Sequence, residues 1–282
     1  MAIYQDTFTL SNGVSIPKIG FGTSPLKGDE AYNAVKDALK AGYRHIDTAQ
    51  IYQNETEVGK AIHDSGIPRN EIFITTKLDA SVKNEAGALK AFEGSLKRLK
   101  VDYVDLYLIH APWPWEEKYA NYDKGNVLAF NALIQLEKSG KARAVGVSNF
   151  SVNDLENIKK HCEFMPRVNQ IKLHIGHPQT DIVNYCKAHD ILVEAYSPLG
   201  RAKVLNHETI TQAAEQLGVS NAQLCVRYPL EKGILPLPRS SKPKHIIANR
   251  SVDFTIDKKI IDMLDALSID SIEFGTPIKT QK

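Results

Sequence analysis

Eight short runs rich in apolar and β-branched residues alternate along this chain with amphipathic stretches of helical length. The runs fall at residues 18–21, 43–47, 72–77, 104–110, 144–148, 168–172, 192–196 and 234–237. Helical patterns occupy 29–40, 54–65, 84–100, 126–138, 152–161, 179–189, 208–217 and 221–232. Gly42, Gly66, Gly140 and Gly233 stand where helices should stop, and Ser151 and Ser220 where helix caps should begin. Strands that alternate with helices through short connections, with no linker or break in composition, call for a parallel sheet. Eight such repeats favour closure of that sheet into a barrel, and the 282 residues are close to the ~250 typical of one such domain. The expected fold is α/β, a single (β/α)8 TIM barrel spanning 1–282. Ahead of it, residues 8–10 and 14–16 flank Ser11-Asn12-Gly13, the pattern of a β-hairpin that would cover the barrel.

Charge and cysteine content narrow the function classes. The chain carries 35 Lys and Arg against 33 Asp and Glu, a net of +2, so no nucleic acid or anionic membrane is expected as a general partner. Cys162, Cys186 and Cys225 are three, widely spaced, with no Cys-x-x-Cys pair, so neither a disulfide framework nor a zinc site is indicated. No stretch resembles a signal peptide or reaches the ~20 apolar residues that a membrane span needs. A cytoplasmic location is expected.

In a parallel barrel the active site lies at the carboxyl ends of the strands, and three of the runs end there on ionisable groups: Asp47, Lys77 and His110. Tyr52 lies in the loop that leaves the Asp47 strand. An acid, a phenol, an amine and an imidazole on one face outline a proton-transfer site, although Asp and Lys at strand ends also form purely structural ion pairs. The connection 111–125 follows His110 directly, holds both tryptophans, Trp113 and Trp115, and is expected to wall a pocket. Gly20-Phe21-Gly22 starts like a dinucleotide fingerprint, but Pro25 occupies the third glycine position and no helix opens there. His174-Ile175-Gly176-His177 matches a synthetase signature over four letters only and carries no weight. His45 is expected to be structural and to face away from Asp47, and no residue grouping predicts a metal site.

Taken together, these residues resemble the aldo-keto reductase family over nearly the whole chain. The resemblance is carried by Gly42-Tyr43-Arg44-His45-Ile46-Asp47-Thr48-Ala49 with Tyr52, by Lys77, and by the stretch from Val101 to His110. It continues through Gly146-Val147-Ser148-Asn149-Phe150, Asn169-Gln170 and Ala195-Tyr196-Ser197-Pro198-Leu199-Gly200. It implies a barrel that binds a nicotinamide cofactor without a Rossmann domain and reduces carbonyls reversibly. Tyr52 would be the proton donor, Lys77 would lower its pKa, Asp47 would hold Lys77, and His110 would orient the substrate oxygen. Ser148, Asn149 and Gln170 would hold the nicotinamide carboxamide and Tyr196 would stack on the ring, with Ser197 and Leu199 beside it. Arg239, Ser240, Ser241, Lys242 and His245 would meet the adenosine phosphate, and Asn249 the adenine. NADPH is the expected cofactor, with NADH possible.

By the same resemblance, Ser24, Tyr52, His110, Ala111 and Trp113 would line the substrate site. Ser24 and Ala111 stand where many members have tryptophans, which predicts a preference for compact polar carbonyls over long apolar aldehydes. Arg239 replaces a lysine, His245 an arginine, and the loop after Gly200 is short. The implied protein is a monomeric NADPH-dependent reductase of a small aldehyde, ketone or dicarbonyl. An alcohol dehydrogenase working in the oxidative direction and a nicotinamide-binding redox-sensing module are the alternatives.

Overall fold

The structure, a computed structural model, describes residues 3–269. A hairpin of β1 (Thr7–Thr9) and β2 (Ser15–Pro17) leads into β3 (Phe21–Gly22), β4 (His45–Asp47), β5 (Phe73–Leu78) and β6 (Val104–Ile109). The strands β7 (Ala142–Ser148), β8 (Val168–Lys172), β9 (Leu192–Tyr196) and β10 (Leu235–Leu237) follow. From β3 to β10 each strand pairs in parallel with the next in chain order. The amides of Gly20 and Gly22 donate to the carbonyls of Pro236 (3.1 Å) and Pro238 (3.0 Å), which joins the last strand to the first.

Outside the strands lie α1 (Gly28–Lys40), α2 (Glu55–Asp64), α3 (Glu85–Leu99), α4 (Asp123–Lys138), α5 (Val152–His161) and α6 (Thr180–Ala188). α7 (Glu208–Leu217) and α8 (Asn221–Glu231) precede β10, and α9 (Pro243–Arg250) and α10 (Lys258–Asp265) follow it. Ser151 and Ser220 each close a capping box, with Asp154 and Gln223 as the returning side chains.

Alternation along the strands sorts side chains into two apolar layers. Ile74 and Leu78 of β5 and Tyr107 and Ile109 of β6 face the helices. Phe73, Leu106, Leu108, Ala144, Val168, Leu235 and Leu237 fill the barrel interior, and Leu10 and Ile16 of the hairpin pack on them. The hairpin therefore plugs the amino end, and the interior above this layer is free to be polar. Gly20 belongs to that interior: a Cβ there would come within 2.6 Å of His45 Nδ1, so this glycine serves packing.

The structure corrects the expected orientation of His45. Residues two apart on a strand share a face, so His45 points inward with Asp47, its Nε2 2.9 Å from Thr75 Oγ1. The connection after His110 also differs from the expected irregular loop, since a 3-10 turn forms at Trp115–Glu117 and α4 starts at Asp123.

Candidate active site

Asp47 ends β4, Lys77 is one residue from the end of β5, and His110 follows β6 directly. Tyr52 closes a 3-10 turn, Gln50–Tyr52, that folds back over the end of β4. The Lys77 ammonium is fully buried and donates to Asp47 Oδ1 (2.6 Å), the Thr48 carbonyl (2.9 Å) and Tyr52 Oη (3.4 Å). A buried cation is tolerated only when its donors are satisfied, and here three acceptors do this. The second Asp47 oxygen accepts from Gln170 Nε2 at 2.8 Å, and the same nitrogen donates to Glu194 Oε2 at 2.7 Å. The Tyr52 and His110 rings meet edge to face, 5.5 Å between centroids. Asp47, Tyr52, Lys77 and His110 thus come together as the sequence predicts.

Burial works against every charge in this cluster. For Lys77 it favours the neutral amine, but the Asp47 and Tyr52 oxygens outweigh it and the pKa lies above its ordinary value. For Tyr52 burial raises the pKa, the Lys77 charge pulls it down, and Asp47 adds to the rise. The net shift is upward: Lys77 lowers the pKa as expected, but burial outweighs it. Tyr52 is a neutral phenol at neutral pH. Burial and the nearby Lys77 charge push His110 well below 6.5, so its imidazole is neutral.

The residues expected to hold a nicotinamide ring form a connected rim. Ser148 Oγ donates to the Gln170 carbonyl (2.8 Å), and Asn149 Nδ2 donates to the His110 carbonyl (2.9 Å). Tyr196 Oη donates to Asn149 Oδ1 at 2.7 Å. Asn149 and Ser197 both adopt left-handed backbone conformations, at φ 62° and 54°, where each strand turns off the barrel. Leu199 precedes the 3-10 turn Gly200–Ala202. The segment Arg239-Ser240-Ser241-Lys242 leaves β10, the neighbour of β9, and runs into α9. Arg239, Lys242 and His245 are exposed, while Ser240 is buried and its Oγ accepts from the Lys242 amide at 3.0 Å. Asn249 is buried on α9.

On the substrate side Ser24 is exposed and lies beside Tyr52. Ala111 is buried, its carbonyl accepting from Lys83 Nζ at 2.8 Å. Trp115 rather than Trp113 meets His110, edge to face with centroids 5.4 Å apart, and Trp113 packs one ring further out. Trp115 lies in the loop expected to wall the pocket, whereas Thr48 and Glu194 are neighbours that sequence reasoning leaves out. Only Glu194 carried a signal, an acid inside the otherwise apolar and aromatic run Leu192–Tyr196. Among the described residues no cluster of three His, Cys, Asp or Glu could hold a metal, and no helix is long and apolar enough to cross a membrane.

Comparison with known proteins agrees with this geometry. The family model described as "Aldo/keto reductase family" matches residues 18–269. The glyoxal reductase of Bacillus subtilis is 43% identical over 268 residues, covering 94% of each chain. The crystal structure of an aldo/keto reductase from Brucella melitensis superposes with a TM-score of 0.87 at 43% identity, over 92% of this chain and 98% of that one. A Bombyx mori aldo-keto reductase solved in complex with NADP gives 0.87 at 30% identity, over 96% of both chains. A closed eight-stranded barrel with this four-residue cluster, matched along almost its full length, belongs to the aldo/keto reductase family.

Proposed function

We propose that this protein reduces a small aldehyde, ketone or dicarbonyl to the alcohol with NADPH, Tyr52 giving the proton. The observation that carries this reading is the buried Lys77, held between Asp47 and the Tyr52 hydroxyl. A phenol is an adequate acid only where its anion is stabilised, and an ammonium 3.4 Å away in a water-poor site supplies that as the proton leaves. Neutral His110 offers a ring N–H to the same substrate oxygen, holding the carbonyl against Tyr52.

The donor set suits a nicotinamide cofactor. Gln170 directs both amide N–H groups at the carboxyls below it, which leaves its oxygen as an acceptor for a carboxamide. Ser148, Asn149 and the Tyr196 ring stand beside it, and Arg239, Ser240 and Lys242 offer two cations and a hydroxyl to a phosphate ahead of the start of α9. When bound, the cofactor supplies the hydride. The Bombyx mori relative was solved with NADP, which supports the choice of cofactor.

Ala111 and Ser24 place small groups beside Tyr52 and His110, and the relative named glyoxal reductase acts, by its name, on a compact dicarbonyl. The substrate class is therefore compact and polar. NADPH oxidation is the test, with glyoxal, an aromatic aldehyde and a long alkyl aldehyde, each run with NADPH and NADH. Turnover with NADPH that is highest for glyoxal is expected. Absence of turnover on all three would refute the reading, and preference for the alkyl aldehyde would refute the substrate class.

A further inference from the structure

Glu194 is a fully buried carboxyl that the reaction above does not use. Strand register sets it beside Gln170 of β8 and Leu235 of β10, pointing into the barrel below the Tyr52 cluster. One amide nitrogen, Gln170 Nε2, bridges it to Asp47, at 2.7 Å and 2.8 Å. Its other oxygen, Oε1, makes no hydrogen bond and lies 4.0 Å from His45 Nε2. The titratable groups facing it are Asp47 and His45 from β4 and Lys77 from β5, while β8 contributes the neutral Gln170 and β10 the apolar Leu235.

These groups do not balance as two carboxylates. Lys77 is the cation that faces the two acids, and it already sits on Asp47 at 2.6 Å. Burial and the Lys77 charge push His45 down to about 3, so it adds no charge near neutral pH. Burial, then the Asp47 charge, push the Glu194 carboxyl up to about 8, against the opposing pull of Gln170 and Lys77. At neutral pH it is therefore a neutral acid beside the Asp47–Lys77 pair.

We propose that Glu194 is a positioning residue: through Gln170 it holds Asp47 onto Lys77, and a charge on it competes with Asp47 and Tyr52 for that one ammonium. The role in catalysis rests on the reductase reading, but the electrostatic link does not. As Glu194 ionises, the potential at Tyr52 becomes more negative and the phenolate becomes harder to form. Reduction begins from the phenol and alcohol oxidation from the phenolate, so the oxidative direction feels this charge first.

Glu194→Gln keeps an acceptor for Gln170 and removes the charge. Glu194→Leu removes both. Two measurements on each folded protein test the proposal. The first is the phenolate absorbance titration of Tyr52, with Tyr52→Phe in the same background as its blank. The second is the alkaline limb of alcohol oxidation with NADP+. In Glu194→Gln both should move to lower pH by about one unit, a change of about tenfold at a fixed pH on the limb, with the NADPH dissociation constant unchanged. Glu194→Leu should in addition bind NADPH more weakly, since Gln170 loses its anchor. A Tyr52 titration that coincides in wild type and Glu194→Gln would overturn the proposal whatever the turnover. A shifted titration in a protein without turnover would instead uphold the link and refute the reductase reading.

Discussion

Lys77 carries the electrostatics of the cluster, and its position shows what a single side chain can do when water is excluded. Its charge survives full burial because Asp47 lies 2.6 Å away, and Asp47 in turn is held by Gln170. Removing one member of a buried pair leaves the other uncompensated, which typically costs about 3–5 kcal/mol. Asp47→Asn is therefore expected to lower unfolding free energy by about that amount, measured by urea titration at neutral pH. A loss within about 0.5 kcal/mol, the scale of a surface change, would show that the pair is not sustaining the buried charge. At this scale the sequence was legible where a residue type was unusual for its place, as with a lysine and a histidine ending apolar strands. It was silent on Thr48, whose contribution is a backbone carbonyl, and it did not show which indole reaches His110, because the 3-10 turn at Trp115–Glu117 decides this.

Strands and helices place these residues, and the two ends of the barrel do separate work. Ile16 of the hairpin is fully buried against the interior layer at the amino end, away from the Tyr52 cluster. Ile16→Ala should destabilise by about 2–5 kcal/mol in a denaturant titration while leaving kcat/KM unchanged, and a large loss of activity in the folded variant would contradict this division. At the opposite end, Arg239 and Lys242 flank the start of α9 as exposed cations. Hydrogen bonds to charged groups contribute about 1.5–3 kcal/mol each, so Arg239→Ala with Lys242→Ala should cut the NADPH over NADH ratio of specificity constants by tenfold or more. An unchanged ratio would show that this segment does not read the phosphate. Strand and helix order was legible because buried parallel strands and amphipathic helices differ in period. The edges were less so: the first barrel strand contracts to Phe21–Gly22, and α4 begins three residues before the apolar pattern does, where Asp123 and its neighbours carry no apolar period.

Over the whole molecule, buried titratable groups inside the barrel set how stability depends on pH. His45 is depressed from 6.5 to about 3, so its contribution is present above pH 6.5 and is lost as pH falls through that window. Glu194 is raised from 4.5 to about 8, so its contribution is present below pH 4.5 and is lost as pH rises through that window. Each changes unfolding free energy by about 1.4 kcal/mol per pH unit, with opposite signs where the windows overlap. The stability of wild type relative to Glu194→Gln should therefore fall with rising pH between those limits, read from urea titrations at several pH values. A difference independent of pH would contradict the buried neutral acid. These windows could not be read from the chain, because they depend on which strands bring Asp47, Lys77 and Gln170 around one interior point. The central claim, that the Lys77-supported phenol of Tyr52 delivers the proton in carbonyl reduction, is tested most directly by Tyr52→Phe, which removes the hydroxyl and keeps the ring. With glyoxal and NADPH its kcat should drop by about 10²-fold or more while the NADPH dissociation constant stays at the wild-type value. A variant that retains near-normal kcat would contradict the claim.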